Sequence, residues 1–177
     1  MGLPMAISGM EVPKIVWIAV AIIVFGAIAS QANSDLNNAT YQAKSWMSPV
    51  VTKAESKALS WVVQNSLERD VFVTDIFGGE HIMGNTLREG TEGGDWAIVP
   101  DVVARMGKID EFYKSKDPKQ AHDIAVKYNA SFVLMPDRQV FAGFGWYEPE
   151  KDKMQRPYFT QVYQDGGLTI YSVNKVA

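Results

Sequence analysis

The sequence predicts an α/β domain with a largely parallel central sheet and flanking helices, preceded by one N-terminal transmembrane helix. Three observations carry this. An uncharged apolar run lies near the start of the chain, short β-branched and aromatic runs recur after it, and amphipathic stripes at helical spacing alternate with those runs. About 128 residues follow Pro49, enough for one compact core.

Ile15 to Ser34 is twenty residues without a charge, entered at Lys14 and left at Asp35. As a helix this run is about 30 Å long, the thickness of a hydrocarbon core. Trp17 and Lys14 suit the headgroup region at its entrance, and the sparse positive charge after it places the N-terminus inside and the domain outside. The expected division is a cytoplasmic segment 1–14, a span 15–34, a polar connection 35–49 and an extracytoplasmic domain 50–177. Ala27-Ile28-Ala29 also has the small-x-small form of a signal-peptidase site, so retained anchor and cleaved signal both stay open, and either exports the domain. Met1 and the closing strand lead to the expectation of a complete chain.

Within the domain, Ala54, Ala58, Trp61 and Val62 form one stripe of a helix over 50–65. Val71-Phe72-Val73 is a short strand, ended by Thr74-Asp75 and a turn at Gly78-Gly79, with a short helix after it. Trp96 to Val99 reads as a second strand closed by Pro100. Asp101 is a candidate N-cap, and Val102, Met106, Ile109 and Tyr113 mark the next helix. Asp117-Pro118-Lys119-Gln120 supplies a cap, a first-turn proline and an N3 glutamine for a helix that buries Ala121, Ile124, Ala125 and Tyr128. It leads into Ser131 to Pro136, a continuous apolar strand of the kind covered on both faces. Residues 137–157 read as an aromatic loop, Tyr158 to Tyr163 as a short helix, and Leu168 to Val173 as a last strand at an edge after the Gly166-Gly167 turn.

Composition narrows function by exclusion. Hydrophobic residues make up 47% and charged residues 21%, which is globular and not disordered. The net charge of −3, with lysines and arginines scattered singly, offers no face for nucleic acid. Cysteine is absent, which removes disulfides, thiolate catalysis and Cys-based zinc sites. Gly78-Gly79 and Gly84 lack the Lys-Ser/Thr of a phosphate loop, and no Gly-x-Ser-x-Gly elbow exists. No cofactor, metal site or catalytic set is therefore expected, and His122, placed on the polar side of its helix, has no partner histidine.

The region after the first strand holds the ligand-binding candidates: Asp75, Glu80 and His81, then Arg88, Asp95 and Trp96. In an open parallel sheet ligands bind beyond the carboxyl ends of strands, where carboxylates and a histidine could do acid/base work or hold a divalent cation. The structural alternative is a turn cap, a helix start and a surface histidine. Trp96, Trp146 and Tyr147 suit a sugar-stacking platform or the packing of a loop. Asn38 and Asn129 begin the sequons Asn38-Ala39-Thr40 and Asn129-Ala130-Ser131.

Taken together, Ala58 to Asn65, Val71 to Asp75 with its glycines, Phe112-Tyr113, Asp117-Pro118, Ala125 to Leu134 and Ile170 to Val173 resemble one arrangement. It is the extracytoplasmic C-terminal domain that follows the last span of polytopic prokaryotic glycosyltransferase-like membrane proteins. The resemblance covers residues 54–174 and is one of packing. In that family the acidic catalytic residues lie in loops between many spans, so no catalytic residue carries over. The resemblance implies a soluble module on a single anchor, a non-catalytic accessory subunit whose partners are other membrane proteins and a glycan. The alternatives are a small anchored enzyme using Asp75, Glu80 and His81, and a structural envelope protein.

Overall fold

The computed structural model describes residues 13–94 and 100–176, so the strand expected at Trp96 to Val99 lies outside the described residues. The chain divides into two compact units, Met1–Ala43 and Lys44–Ala177.

Helix α1 (Lys14–Met47) begins in the first unit. Its 34 residues correspond to about 51 Å, so the helix continues well past the apolar run and through the polar stretch expected to be a connection. It is long and apolar enough to cross a membrane, and none of its most apolar eighteen-residue window is buried. One candidate membrane helix near the N-terminus is thus present.

The second unit is a five-stranded sheet with helices on both faces. Helix α2 (Lys53–Asn65) opens with a capping box: Thr52 Oγ1 accepts from the Glu55 amide at 3.2 Å and Glu55 Oε2 accepts from the Thr52 amide at 2.7 Å. Strand β1 (Val71–Val73) passes directly into α3 (Ile76–Thr86), then β2 (Glu89–Gly90). Helices α4 (Val102–Lys114) and α5 (Pro118–Lys127) lead to β3 (Ala130–Pro136). A hairpin of β4 (Val140–Ala142) and β5 (Gly145–Tyr147) forms its own two-stranded sheet, and β6 (Phe159–Asp165) and β7 (Leu168–Val173) close the main one.

The strand order is β2-β1-β3-β7-β6. Alternation along β1 and β3 serves two cores. Phe72, Leu134, Leu168 and Ile170 pack with Ala58 and Val62 of α2 and Ile82 of α3 on one face. Val73, Val133 and Met135 pack with Ile109, Phe112 and Tyr113 of α4 and Ala121, Ile124 and Ala125 of α5 on the other. Each such fully buried large apolar side chain contributes about 1.5–3 kcal/mol.

Several expectations are corrected. The sheet is not largely parallel: the parallel pairs β1–β2 and β1–β3 are short, and the longer ladders β3–β7 and β6–β7 are antiparallel. Residues 159–165 are strand β6, where a helix was expected, and β6 takes the edge expected of β7. The cause is Gly166-Gly167, which leaves only two residues between β6 and β7 and so forms a tight hairpin. Within the expected loop 137–157, Val140–Ala142 and Gly145–Tyr147 pair about Gly143, whose φ of 68° suits glycine. Gly78-Gly79 is no turn but the first turn of α3. A Cβ on Gly79 would lie 1.7 Å from the Glu92 carbonyl oxygen, so a bare backbone is needed for the 91–94 loop to approach. Asp101 takes a left-handed φ of 52° and makes no side-chain cap. Asp117 does cap α5, accepting from the Lys119 amide, whereas Gln120 turns to Ser115 and Glu111.

Candidate functional site

The three parallel strands end on one side of the sheet, and the second residue beyond each end is charged: Asp75 after β1, Glu92 after β2 and Arg138 after β3. This is the end of a parallel sheet at which open α/β folds bind ligands. Two different environments are built there.

The first is a saturated ion cluster. Arg138 Nη1 and Nη2 donate to Asp75 Oδ2 and Oδ1 at 2.8 and 2.9 Å. Nε and Nη2 donate to Glu55 Oε2 and Oε1 at 3.0 and 2.8 Å, and Nη1 also donates to the Gln139 carbonyl at 2.8 Å. All five guanidinium N–H groups are thereby used. Asp75 accepts in addition from the Gly78 and Phe141 amides, both at 3.0 Å, so its four lone-pair sites are filled. The side chains of Glu55, Asp75 and Arg138 are 1%, 2% and 9% exposed. Burial alone would lower the affinity of Arg138 for its proton, but the hydrogen bonds and charges of Asp75 and Glu55 hold it above its ordinary value. The cluster ties the start of α2, the start of α3 and the β4–β5 hairpin to the sheet.

The second environment is the reverse. Glu92 is 5% exposed, and neither of its carboxylate oxygens has a hydrogen-bond partner among the described residues. Its backbone is held by the exchange between Thr74 and Thr91, in which the Thr74 amide donates to Thr91 Oγ1 at 3.0 Å and Thr91 Oγ1 donates to the Thr74 carbonyl at 3.2 Å. Burial, then the nearby charges of Asp75 and Asp110, pushes the Glu92 carboxyl up to about 9, against a smaller opposing pull from Arg105. Glu92 is therefore a neutral acid at pH 7. It lines a cavity of about 20 Å³ with Ile76, Thr91, Gly93, Val102, Arg105 and Met106.

Of the described candidates, Asp75 stands at this end of the sheet, and Arg88 stands before β2, at the opposite end of the parallel strands. Asp75 caps α3 within the ion cluster. Glu80 is exposed, and His81 is half-buried, with Nδ1 at 3.4 Å from Asn85 Nδ2 and Nε2 without a partner among the described residues. Arg88 instead joins two helix ends, donating to the Thr86 carbonyl of α3 at 2.6 Å and to the Val63 and Ser66 carbonyls of α2 at 3.1 and 2.7 Å. Asp95 and Trp96 lie outside the described residues. Among the described residues no three histidine or carboxylate side chains gather as a metal ion would require.

Trp146 is 4% exposed and belongs to a four-ring cluster. Its ring stacks on Phe77 at 5.4 Å, and Trp46, 58% exposed, meets Trp146 at 5.2 Å and Phe141 at 5.4 Å. Tyr147 stands apart, under Lys114 Nζ at 4.5 Å. His122 is not on a polar face: it is 7% exposed, packs on Tyr158 and Phe159, and sits 2.7 Å from the Asn174 carbonyl. Asn38 is exposed on α1, and Asn129 is exposed with φ of 52°.

Glu92, Glu55, Arg138 and Lys153 were not singled out from sequence. Thr52-Lys53-Ala54-Glu55 does carry the capping-box signature. Lys153 is fully buried and donates to the Phe112 and Tyr113 carbonyls at the end of α4, and burial pushes its amine down to about 7.

No family model and no curated protein matches the chain. A solved structure does: the C-terminal globular domain of an oligosaccharyltransferase from Archaeoglobus fulgidus is 14% identical to it, with 70% of this chain and 99% of that one covered and a TM-score of 0.50. At that identity the likeness is one of fold, and the second unit carries the fold of that domain.

Proposed function

We propose that the chain is a single-span membrane protein whose extracytoplasmic α/β domain serves as a non-catalytic accessory subunit of a membrane protein complex that handles glycans. One observation carries the reading. The fold likeness spans nearly the whole of an oligosaccharyltransferase domain, and among the described residues that fold follows one helix long and apolar enough to cross a membrane. The proposed division keeps residues 1–14 in the cytoplasm and 15–34 in the membrane, with the domain outside. Partners are other membrane proteins, met by the span and the domain, and a glycan.

The saturation of Asp75 supports a scaffold role for the carboxylate best placed for chemistry, because no lone pair is left for a substrate or an ion. An anchored enzyme would have to work through Glu80 and His81. A Glu80→Gln/His81→Ala double variant tests this, since neither residue is fully buried. The accessory reading expects full function in cells lacking the parent gene, and loss of function in a folded variant would favour the enzyme.

Purification of the full chain from native membranes in a mild detergent tests the main reading. Polytopic membrane proteins in fixed ratio are the expected companions, and a chain that comes alone would overturn it.

A further inference from the structure

We infer that Asn38 is an N-glycan acceptor of this chain and that the fold closes the second sequon at Asn129; this rests on the proposed outward orientation of the domain. The two tripeptides have the same pattern, and their surroundings differ. Asn38, Ala39 and Thr40 are all exposed on α1, and none of them makes a hydrogen bond to another described side chain. Residues 31–40 are exposed throughout, so unwinding one turn there loses helix hydrogen bonds and no core packing. Asn38 lies four residues past Ser34 and ten past Ile28, the last bulky apolar residue of the run, or about 6 and 15 Å along the helix. The headgroup layer is about 5–7 Å deep on each side, so a glycan there would extend into water.

Asn129 is fixed in every respect that matters. It holds the left-handed position after α5, with its amide donating to the Val126 carbonyl at 2.9 Å. Ala130 is 8% exposed and is the first residue of β3, paired with Val71. The Ser131 hydroxyl, the group that distinguishes a sequon from any other Asn-x-x, donates to Asp70 Oδ1 at 2.6 Å. An enzyme that must read this hydroxyl and hold the asparagine in an extended segment would have to pull a central strand out of the sheet.

The transfer forms a bond from Asn38 Nδ2 to the anomeric carbon of a lipid-phosphate-linked oligosaccharide. The bond from that carbon to the phosphate oxygen breaks, the phosphate leaves with the electron pair, and the amide gives up one proton to solvent. A separate transferase catalyses the step.

The test expresses the full chain in cells that N-glycosylate exported proteins. Site occupancy is read by peptide mass spectrometry for the parent, Asn38→Gln and Asn129→Gln, and protease is added to intact cells in parallel. The inference expects a glycan on Asn38, full loss of the mass shift in Asn38→Gln, an unchanged shift in Asn129→Gln, and a domain cut from outside. A glycan on Asn129, or a bare chain whose domain is cut from outside, overturns the inference while leaving the orientation standing. A bare chain whose domain is protected overturns both.

Discussion

Glu92→Gln should make the protein more stable, and more so as pH rises. The parent carboxyl titrates at about 9 in the folded chain against 4.5 as its ordinary value, so its folded pKa is raised. Below pH 4.5 the group is protonated in both states and nothing is lost. Between 4.5 and 9 the folded chain keeps a proton that the unfolded chain releases, and stability falls by about 1.4 kcal/mol per pH unit. From pH 5 to 7 the parent therefore loses about 2.5 kcal/mol at this site. Glutamine has the shape of the neutral acid and does not titrate, and both would occupy the same cavity. The two proteins should match within about 0.5 kcal/mol at pH 4.5, and the variant should lead by about 3 kcal/mol at pH 7, or about 10 °C in Tm for a domain of this size. Urea unfolding of the full chain in mild detergent, followed by tryptophan fluorescence at several pH values, reads this directly. The window stops at 7 because Lys153 contributes an opposite slope above it. A variant with the parent's pH slope, or one less stable at pH 7, would refute the burial argument.

Arg138→Met should cost about 3–5 kcal/mol, because it leaves Glu55 and Asp75 buried without their cation; chemical unfolding at pH 7 measures it. Gly79→Ala drives a methyl group into the Glu92 backbone, and a loss of more than about 3 kcal/mol or failure to fold is expected, against about 1 kcal/mol gained at an unhindered helix glycine. For Lys153 the folded pKa of about 7 lies below the ordinary 10.5, so the unfolded chain binds more protons between these values and this lysine adds a rise of stability with pH across that window, which offsets the Glu92 fall up to about pH 9. Lys153→Met should abolish that rise, as pH-resolved melting between 7 and 10 would reveal.

The helices were legible because their signals are local. The stripe at Ala58 and Val62, and the Asp117-Pro118 start of α5, each lie within a few residues, and both helices formed where the spacing put them. Strands β1, β3 and β7 were visible as apolar runs for the same reason. Strand β6 was not, because at this sheet edge only Phe159 is buried, a register shift between Gln161 and Tyr163 breaks the alternation, and the run mixes polar with aromatic residues. Reading it as helix hid the meaning of Gly166-Gly167, and with it the antiparallel half of the sheet. At the candidate site, Asp75 was found through the strand it follows. Its partner Arg138 lies 63 residues away and Glu55 lies 83 from Arg138, separations across which no pattern in the chain pairs them. Glu92 was passed over because an acid among glycines reads as an exposed loop. It is buried only because Gly79 lets the 91–94 backbone settle onto α3.

Native mass spectrometry of the assembly extracted from its own membranes tests the central claim most directly. The account predicts one mass that contains this chain, with its span retained, and at least one polytopic membrane protein in an integer ratio. A spectrum that holds only the single chain or multiples of it would contradict the account.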